Sequence, residues 1–289
     1  SLGRALKHQY FDEVNDIGDI LARYPDAQRT VWGVYDEYLF RYAYDLLREG
    51  EARRQKIFLF LVSTTNHPPH SVPENYRPLP TDPVSMRAHL AKDVRGSEKQ
   101  LQTFQYATHQ LGLFLDGIEA GPLGRKTIVA ATGDHNLRTL MEYRMPADSK
   151  DMHRVPGYFY VPSAYRPANP PDLDRYAGHR DMFPTLYRLA LSDATYPAFG
   201  DDLFAPLPES RAFAMGGYQL LFSRAGALLP YVGRPAAFRW DDSGSVLEQT
   251  AGIPPVLAQQ GERARALSAL ADWYTRYQVI ESRKRAGRP

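Results

Sequence analysis

The stretch TIVAATGDH, residues 127–135, decides the fold, because a short apolar run ends abruptly in a glycine, a carboxylate and an imidazole. An apolar run too short for an ordinary helix is typical of a strand buried in a parallel sheet. Gly133 permits a sharp turn and brings Asp134 and His135 to one point. Such mixed ligands suit Mn²⁺, Zn²⁺ or Mg²⁺ better than Ca²⁺. A turn or cap also explains an isolated Asp-His pair, but its place after a buried strand favours a metal site.

A second apolar run upstream has the same form. Residues 56–63, KIFLFLVS, predict another buried strand, and the polar residues TTNHPPH follow it directly. His67 therefore lies at a predicted carboxyl end of the sheet, where open α/β folds place their sites. We expect the loops carrying His67 and Asp134 to face one crevice. The alternative for His67 is a loop histidine that hydrogen-bonds to backbone, and His70 is interpreted in that way.

Two further histidines lie near predicted elements. His153 precedes a third apolar strand, residues 155–162, and is a candidate contact for a substrate phosphate. The sequence supports a structural role for His153 equally well. His179 precedes a helix that opens near Asp181, and a histidine near a helix start is often only a local hydrogen-bonding partner.

The order of the predicted elements indicates an α/β fold. Helices are predicted over residues 4–27, 36–48 and 97–120, with a short β-prone run at 29–34. Strands alternating with helices predict a parallel-rich sheet sandwiched by helices. After residue 205 the pattern changes to short alternating runs, which predict a small antiparallel sheet, and residues 262–280 predict a helix that covers one face of it. The predicted domains are therefore residues 1–205 and 206–289.

Composition excludes several classes of protein. The chain has 289 residues, 43% of them hydrophobic, and a formal net charge of +2. A nucleic-acid binder usually carries a large excess of basic residues, which this net charge does not show, so no nucleic-acid partner is expected. The absence of cysteine excludes disulfides, thiolate nucleophiles and a nucleophile derived from cysteine. The longest apolar run is far shorter than the roughly 20 residues that a membrane helix needs.

The C-terminus carries the only basic run, Arg283-Lys284-Arg285, with Arg288 close by. A run of this kind is typical of a solvated tail. Contact with an anionic membrane surface is the alternative.

Taken in order, the motifs resemble the lipoteichoic acid synthase family of phosphoglycerol transferases, in the alkaline phosphatase and sulfatase superfamily. The resemblance covers roughly residues 5–205, which match the C-terminal half of the extracytoplasmic catalytic domain. The motifs that carry it are Trp32-Gly33-Val34-Tyr35-Asp36-Glu37, Thr65-Asn66-His67-Pro68, Thr127-Ile128-Val129 with Gly133-Asp134-His135, Val155-Pro156 with Val161-Pro162, and His179-Arg180-Asp181-Met182-Phe183-Pro184-Thr185-Leu186.

The resemblance implies an activity. In this family the head group of phosphatidylglycerol is cleaved, held on a metal-activated threonine, and passed to a polyglycerol phosphate or glycan acceptor. Asp134 and His135 would be two ligands of a divalent metal, usually manganese, and His67 would contact the phosphoglycerol group. His153 has no secure counterpart. The resemblance also implies a location outside the cytoplasmic membrane, with anchoring by upstream transmembrane helices.

The chain departs from the family pattern in one respect. No threonine here stands in a context that matches the nucleophile, and the family's metal-binding glutamate and tryptophan-arginine motif also lie upstream of the matched region. We therefore expect a fragment that is inactive alone and binds metal weakly, because metal sites of this kind use three or four protein ligands. Its unpaired sheet edges should be covered by the missing N-terminal half or by another copy.

Other functions remain open from the sequence. One is a phosphoethanolamine transferase, or a sulfate or phosphate ester hydrolase, of the same superfamily. Another is a non-catalytic module that binds an anionic glycan or lipid head group, which the unmatched nucleophile favours. The Trp32-Gly33 and Asn66-His67-Pro68 motifs favour phosphoglycerol as the transferred group.

Overall fold

The computed structural model describes residues 6, 11–82, 84–91, 94–136 and 139–285. The chain divides into two compact units. The first contains residues 1–127 and 138–142, and the second contains residues 128–137 and 143–289.

The first unit is helical. Its helices are α1 (Ile17–Arg23), α2 (Asp36–Ala52) and α3 (Val94–Ala120). Helices α2 and α3 pack together, with the rings of Phe40 and Phe114 stacked at 5.2 Å and Ile118 fully buried. Helix α3 ends where Gly121 and Pro122 interrupt it, as predicted, but it begins at Val94 rather than at residue 97.

The predicted first helix is wrong in its bounds. Residues 11–16 are not helical, and most of residues 4–10 lie outside the described residues. Asp16 starts α1 because its carboxylate accepts the backbone N–H of Gly18 and a capping box forms with Asp19. The helix stops before Pro25, which disfavours helical geometry at Tyr24. The predicted β-prone run at 29–34 is a tight turn closed by the single bridge Arg29↔Val34.

Residues 56–63 form no hydrogen-bonded strand in the described part of the chain. Their apolar side chains are not buried, since Phe58, Phe60 and Val62 are 57%, 48% and 49% exposed. The prediction of a buried strand therefore fails here. The physical reason is that no strand pairs with this segment among the described residues, and the ring of Phe11, which lies 6.0 Å from that of Phe58 and 6.4 Å from that of Phe60, covers it only in part.

The second unit begins with a strand pair. Strands β1 (Val129–Thr132) and β2 (Gly157–Tyr160) form where the second and third strands were predicted, and they pair antiparallel with Val129 opposite Tyr160. The prediction that they are buried is wrong, because their residues are half-buried or exposed. Strand β2 begins after Pro156, which has no N–H to donate. Helices α4 (Ser149–His153) and α5 (Met182–Ala190) belong to the same unit.

The rest of the second unit is an antiparallel sheet of five strands in chain order. They are β3 (Phe213–Gly216), β4 (Leu220–Ser223), β5 (Gly226–Leu228), β6 (Ala237–Trp240) and β7 (Leu247–Gln249). One face packs against α6 (Pro255–Arg285) through a core that includes Leu221, Leu228 and Leu257. This confirms the predicted small sheet with its closing helix. Strand β7 has three residues, which are too few to give a periodic signal in the sequence.

The predicted parallel-rich sheet is not observed among the described residues, where every strand pair is antiparallel. Alternation of strands and helices predicted a parallel sheet, but β1 and β2 pair directly with each other. The predicted domain boundary at residue 205 stays a prediction, and the two compact units divide the chain elsewhere.

None of the helices in the described residues combines the length and the apolar character needed to cross a membrane.

Candidate active site

The Gly-Asp-His loop follows β1 in the second unit. Thr132 anchors the strand end, because its hydroxyl donates to the carbonyl of Pro156 at 3.0 Å. Asp134 Oδ1 accepts the backbone N–H of His135 at 2.9 Å, which fixes the carboxylate against the turn. The side chains of Asp134 and His135 are 89% and 60% exposed, so both are accessible to a ligand.

The donor atoms of this pair lie close together. His135 Nε2 is 3.6 Å from Asp134 Oδ2. Two ligands that each lie at about 2.1 Å from one ion in tetrahedral geometry are about 3.4 Å apart. The pair therefore has the spacing that two ligands of a single metal ion require.

The tautomer of His135 also suits a metal ligand. Its Nδ1 lies 2.9 Å from the carbonyl oxygen of Asn136. A carbonyl only accepts, so Nδ1 carries the proton and Nε2 presents its lone pair. Asn136 is held in turn, because its side-chain amide donates to the carbonyl of Asp151 at 2.6 Å. The loop is thus ordered by contacts beyond the two candidate ligands.

His179 supports the same turn from a distant part of the chain. Its Nε2 donates to the carbonyl of Gly133 at 2.7 Å. His179 opens a single 3₁₀ turn, His179–Asp181, which the buried carboxylate of Asp181 fixes by accepting the N–H of Gly178 at 2.9 Å. His179 is therefore a hydrogen-bonding partner, as its place near a helix start suggested, but its partner lies 46 residues away.

His153 is held by its own helix. Its Nδ1 donates to the carbonyl of Ser149 at 2.8 Å, and its ring centroid lies 6.3 Å from that of Phe222. These contacts give His153 a structural role. Its predicted role as a substrate contact stays a prediction.

In the first unit, the loop that carries His67 is fixed by the start of α2. Asp36 is 1% exposed, and its Oδ1 accepts the backbone N–H groups of Thr64 and Thr65, both at 3.1 Å. The Thr65 hydroxyl accepts the N–H of Asp36 at 3.0 Å. Burial raises the pKa of Asp36, although the hydrogen bonds from Thr64 and Thr65 oppose that shift.

Trp32, in the turn of residues 29–34, forms an exposed aromatic pair with His67. Their ring centroids are 4.1 Å apart, and Trp32 Nε1 donates to the carbonyl of Pro68 at 2.6 Å. His67 Nδ1 lies 3.1 Å from the same carbonyl and therefore carries a proton, which leaves Nε2 with its lone pair. The sequence predicted His67 but gave no reason to pair it with Trp32.

The other side of the loop is fixed to α3. Thr103 donates to Asn66 Oδ1 at 3.2 Å, and its hydroxyl also lies 3.2 Å from His70 Nδ1. His70 is therefore structural, as predicted. Asn66, which precedes His67, positions the loop through this contact.

The predicted site residues thus lie in two groups, one in each unit. Asp134 and His135 lie in the turn after β1, which His179 contacts, and His67 lies in the loop after residue 63, which Trp32 contacts. Within the described residues, no group of three or more His, Asp or Glu side chains could hold a metal ion. The prediction that the two loops face one crevice stays a prediction.

Comparison with solved structures identifies the fold. The structure is similar to a protein in the alkaline phosphatase superfamily from Vibrio parahaemolyticus, with a TM-score of 0.70 and 21% identity, over 91% of this chain and 60% of that one. It is also similar to the lipoteichoic acid synthase LtaP from Listeria monocytogenes, with a TM-score of 0.66 and 19% identity, over 95% of this chain and 72% of that one. The fold is therefore that of the alkaline phosphatase superfamily.

The family follows from the sequence match. A model of the sulfatase family matches residues 3–192, so the chain belongs to the sulfatase family. This is a family of enzymes that transfer or hydrolyse esters such as phosphoesters. The chain spans 60% of the Vibrio protein's length.

Proposed function

We propose that this chain is part of a metal-dependent phosphoglycerol transferase, which moves glycerol phosphate from phosphatidylglycerol to a polymer or glycan acceptor. Membership of the sulfatase family supports the coarser chemistry of phosphoester transfer or hydrolysis. The observation that carries the proposal is the approach of Asp134 Oδ2 and His135 Nε2 to 3.6 Å at the end of β1.

The proposed metal is manganese, with zinc and magnesium as alternatives. Asp134 supplies a carboxylate oxygen and His135 supplies an imidazole nitrogen, a donor set that suits these ions. When bound, such an ion lowers the pKa of a nucleophilic hydroxyl and offsets the charge on the phosphoryl oxygens. Because two protein ligands hold a metal weakly, the proposal assigns further ligands to the remainder of the full protein.

The proposed contact for the phosphoglycerol group is His67. Its Nε2 can accept a hydrogen bond from a glycerol hydroxyl, since Nδ1 carries the proton. The adjacent Trp32 ring, 56% exposed, offers an apolar surface for the glycerol carbons. His153 is retained as a proposed contact for the substrate phosphate.

The remaining parts of the proposal concern the whole protein. The threonine nucleophile is assigned to an N-terminal half that precedes this chain and completes the site. The donor is a lipid of the bilayer, so the proposed location is the periplasm or the outer face of the cytoplasmic membrane, with anchoring by upstream helices. The acceptor is a polyglycerol phosphate or another glycan of the cell envelope.

The test uses the full-length protein and fluorescent phosphatidylglycerol, with fluorescent phosphatidylethanolamine as the competing donor. Asp134→Asn should lower head-group transfer by about a hundredfold or more, because a direct metal ligand is weakened. His67→Gln should chiefly raise KM for the lipid. Asp116→Asn changes an exposed carboxylate on α3 and should leave transfer unchanged.

A second readout is independent of turnover. Binding of Mn²⁺, followed by electron paramagnetic resonance, should weaken in Asp134→Asn and not in Asp116→Asn. If the full-length protein uses only phosphatidylethanolamine, the transferred group is phosphoethanolamine and not phosphoglycerol. Unchanged transfer in Asp134→Asn would remove the proposed active site.

A further inference from the structure

Helix α6 contributes its first half to the core of the second unit. Leu257 and Ala264 are fully buried in the core beneath the five-stranded sheet. Gly261 lies so close to Leu228 that an added Cβ would approach that side chain to 2.7 Å. These residues define the side of α6 that faces the sheet.

The same side of α6 continues to pack further along the helix. Leu267 packs against the core, and Ser268 hydrogen-bonds to the hydroxyl of Tyr231 at 2.8 Å. The ring of Tyr274 lies 5.6 Å from that of Phe199. Packing of α6 on its own unit is therefore provided by one side of the helix.

A separate apolar stripe runs along another side of α6. We call this stripe, whose residues are given below, the α6 outer face. At about 100° per residue, this stripe is roughly opposite the side that faces the sheet. Its large members are 49%, 58%, 44% and 52% exposed, in chain order, so packing within the chain does not explain them. The α6 outer face consists of Ala266, Leu270, Trp273, Tyr277 and Ile280.

The chemistry of the α6 outer face is that of an interfacial helix. The rings of Trp273 and Tyr277 stack at 5.5 Å with an interplanar angle of 13°. Such side chains, with an apolar body and a polar tip, are favoured at the boundary between water and lipid. Beyond Ile280 the helix is basic, with Arg283, Lys284 and Arg285 against Glu281. Within the stripe Arg276 pairs with Asp272, and beyond it Lys284 pairs with Glu281, so the excess positive charge is that of Arg283 and Arg285.

We propose that the α6 outer face binds the surface of an anionic lipid bilayer, with the helix lying in the plane of the interface. Trp273, Tyr277 and Ile280 enter the boundary between head groups and acyl chains. The basic residues toward the end of α6 complement the negative charge of the lipid. The inference goes beyond the proposed chemistry, because it requires neither metal nor turnover.

A second copy of the chain fits this face less well. Pairing of two copies would use the stripe from Ala266 to Ile280, about two heptads, whereas coiled coils sustain at least three or four. At the next position in the same spacing stands Lys284. A dimer would have to be held by two such short stripes packed against each other. Binding to a bilayer requires only the one exposed stripe.

The test measures binding of the full chain to phosphatidylcholine vesicles with and without phosphatidylglycerol, in a chelating buffer. We expect binding to the anionic vesicles that weakens with salt. The double substitution Trp273→Ala and Ile280→Ala should reduce the partition coefficient about tenfold or more, because it removes buried apolar area from the interface. The matched control, Thr275→Ala with Gln278→Ala, changes exposed residues on the opposite side of α6 and should bind as the wild type does.

Tryptophan fluorescence supplies a second measurement, which reports the position of Trp273 in protein that is bound to the vesicles. Brominated lipids should quench wild-type tryptophan emission more strongly than that of Trp273→Phe. Equal binding by the Trp273/Ile280 variant and its control would overturn the proposal. So would a lipid-free dimer that the Trp273/Ile280 substitution dissociates. Asp134→Asn should bind vesicles normally, so failure of the proposed chemistry and failure of this inference give different results.

Discussion

At the residue scale, Asp36 does more than begin a helix. Its one carboxylate oxygen accepts two backbone N–H groups from the segment that leads to His67. Its other oxygen, Oδ2, is buried with no hydrogen-bond partner among the described residues. Asp36 therefore fixes the loop and carries the cost of a buried charge.

The first prediction concerns the pH dependence of this residue. Burial raises the pKa of Asp36, so the folded protein binds its proton more tightly than the unfolded chain does. The resulting stability is present below the ordinary aspartate pKa of about 3.9 and is lost as pH rises through the raised value. Asp36→Asn keeps a carbonyl acceptor for the two N–H groups but cannot ionise. The stability of the wild type relative to Asp36→Asn should therefore fall as pH rises.

Urea unfolding at a series of pH values from acid to neutral would measure this difference. Asp36→Ala serves as a comparison, because it removes the acceptor and should be about 1–3 kcal/mol less stable than Asp36→Asn at every pH, since neither variant ionises at this position. A constant difference between the wild type and Asp36→Asn across the series would show that the ionisation of Asp36 does not contribute.

The candidate site could be predicted only where its residues are neighbours in the sequence. Asp134 and His135 are adjacent, so any sharp turn after β1 presents them together. Trp32 and His67 stand in separate motifs, and only the folded loop shows their contact. Asp36 belongs to the first of the quoted motifs, but the sequence did not indicate that its carboxylate fixes a distant loop, because an acidic residue in the first turn of a helix is ordinary.

At the scale of elements, strands were predicted well where turn residues bound them. Strand β2 lies inside the predicted run 155–162 and is limited by Pro156 and Pro162. Residues 56–63 have an equally strong apolar pattern but no pairing strand in the described part of the chain. Periodicity reports which residues are suited to a buried strand, whereas formation of the strand depends on a partner.

The second prediction concerns the link between the His179–Asp181 turn and β1. His179→Ala removes the donor to the Gly133 carbonyl and should loosen the turn that carries Asp134 and His135. Because His179 is exposed, the loss of stability should be small, about 0.5–1.5 kcal/mol. Binding of Mn²⁺ to the full protein should weaken about tenfold, as expected for a residue that positions metal ligands.

Thermal unfolding and calorimetric titration with Mn²⁺ would separate these two effects. His89→Ala, an exposed histidine in a short 3₁₀ turn of the first unit, is the matched control and should change neither quantity. Normal Mn²⁺ binding by His179→Ala would limit His179 to a structural role.

At the scale of the whole molecule, the two sheets and the segment 56–63 differ in how their apolar residues are covered. The five-stranded sheet buries residues on both of its faces. In residues 56–63, the apolar side chains of Phe58, Phe60 and Val62 are exposed. The backbone of this segment pairs with no strand in the described part of the chain. Such a segment is a template for another strand. The coverage it requires agrees with the proposed N-terminal half, which would supply pairing strands.

The third prediction is that this chain alone associates through residues 56–63. Exposed apolar strands favour pairing with any available edge, so sedimentation velocity should show a mass that increases with concentration. Substituting Phe60→Lys together with Val62→Lys should weaken the association about tenfold, because a buried charge is costly. Leu173→Lys places the same charge at a site that is 89% exposed and should leave association unchanged.

If the wild type stays monomeric at every concentration tested, residues 56–63 need no partner. If only the Trp273/Ile280 variant dissociates the oligomer, the contact lies on α6 instead.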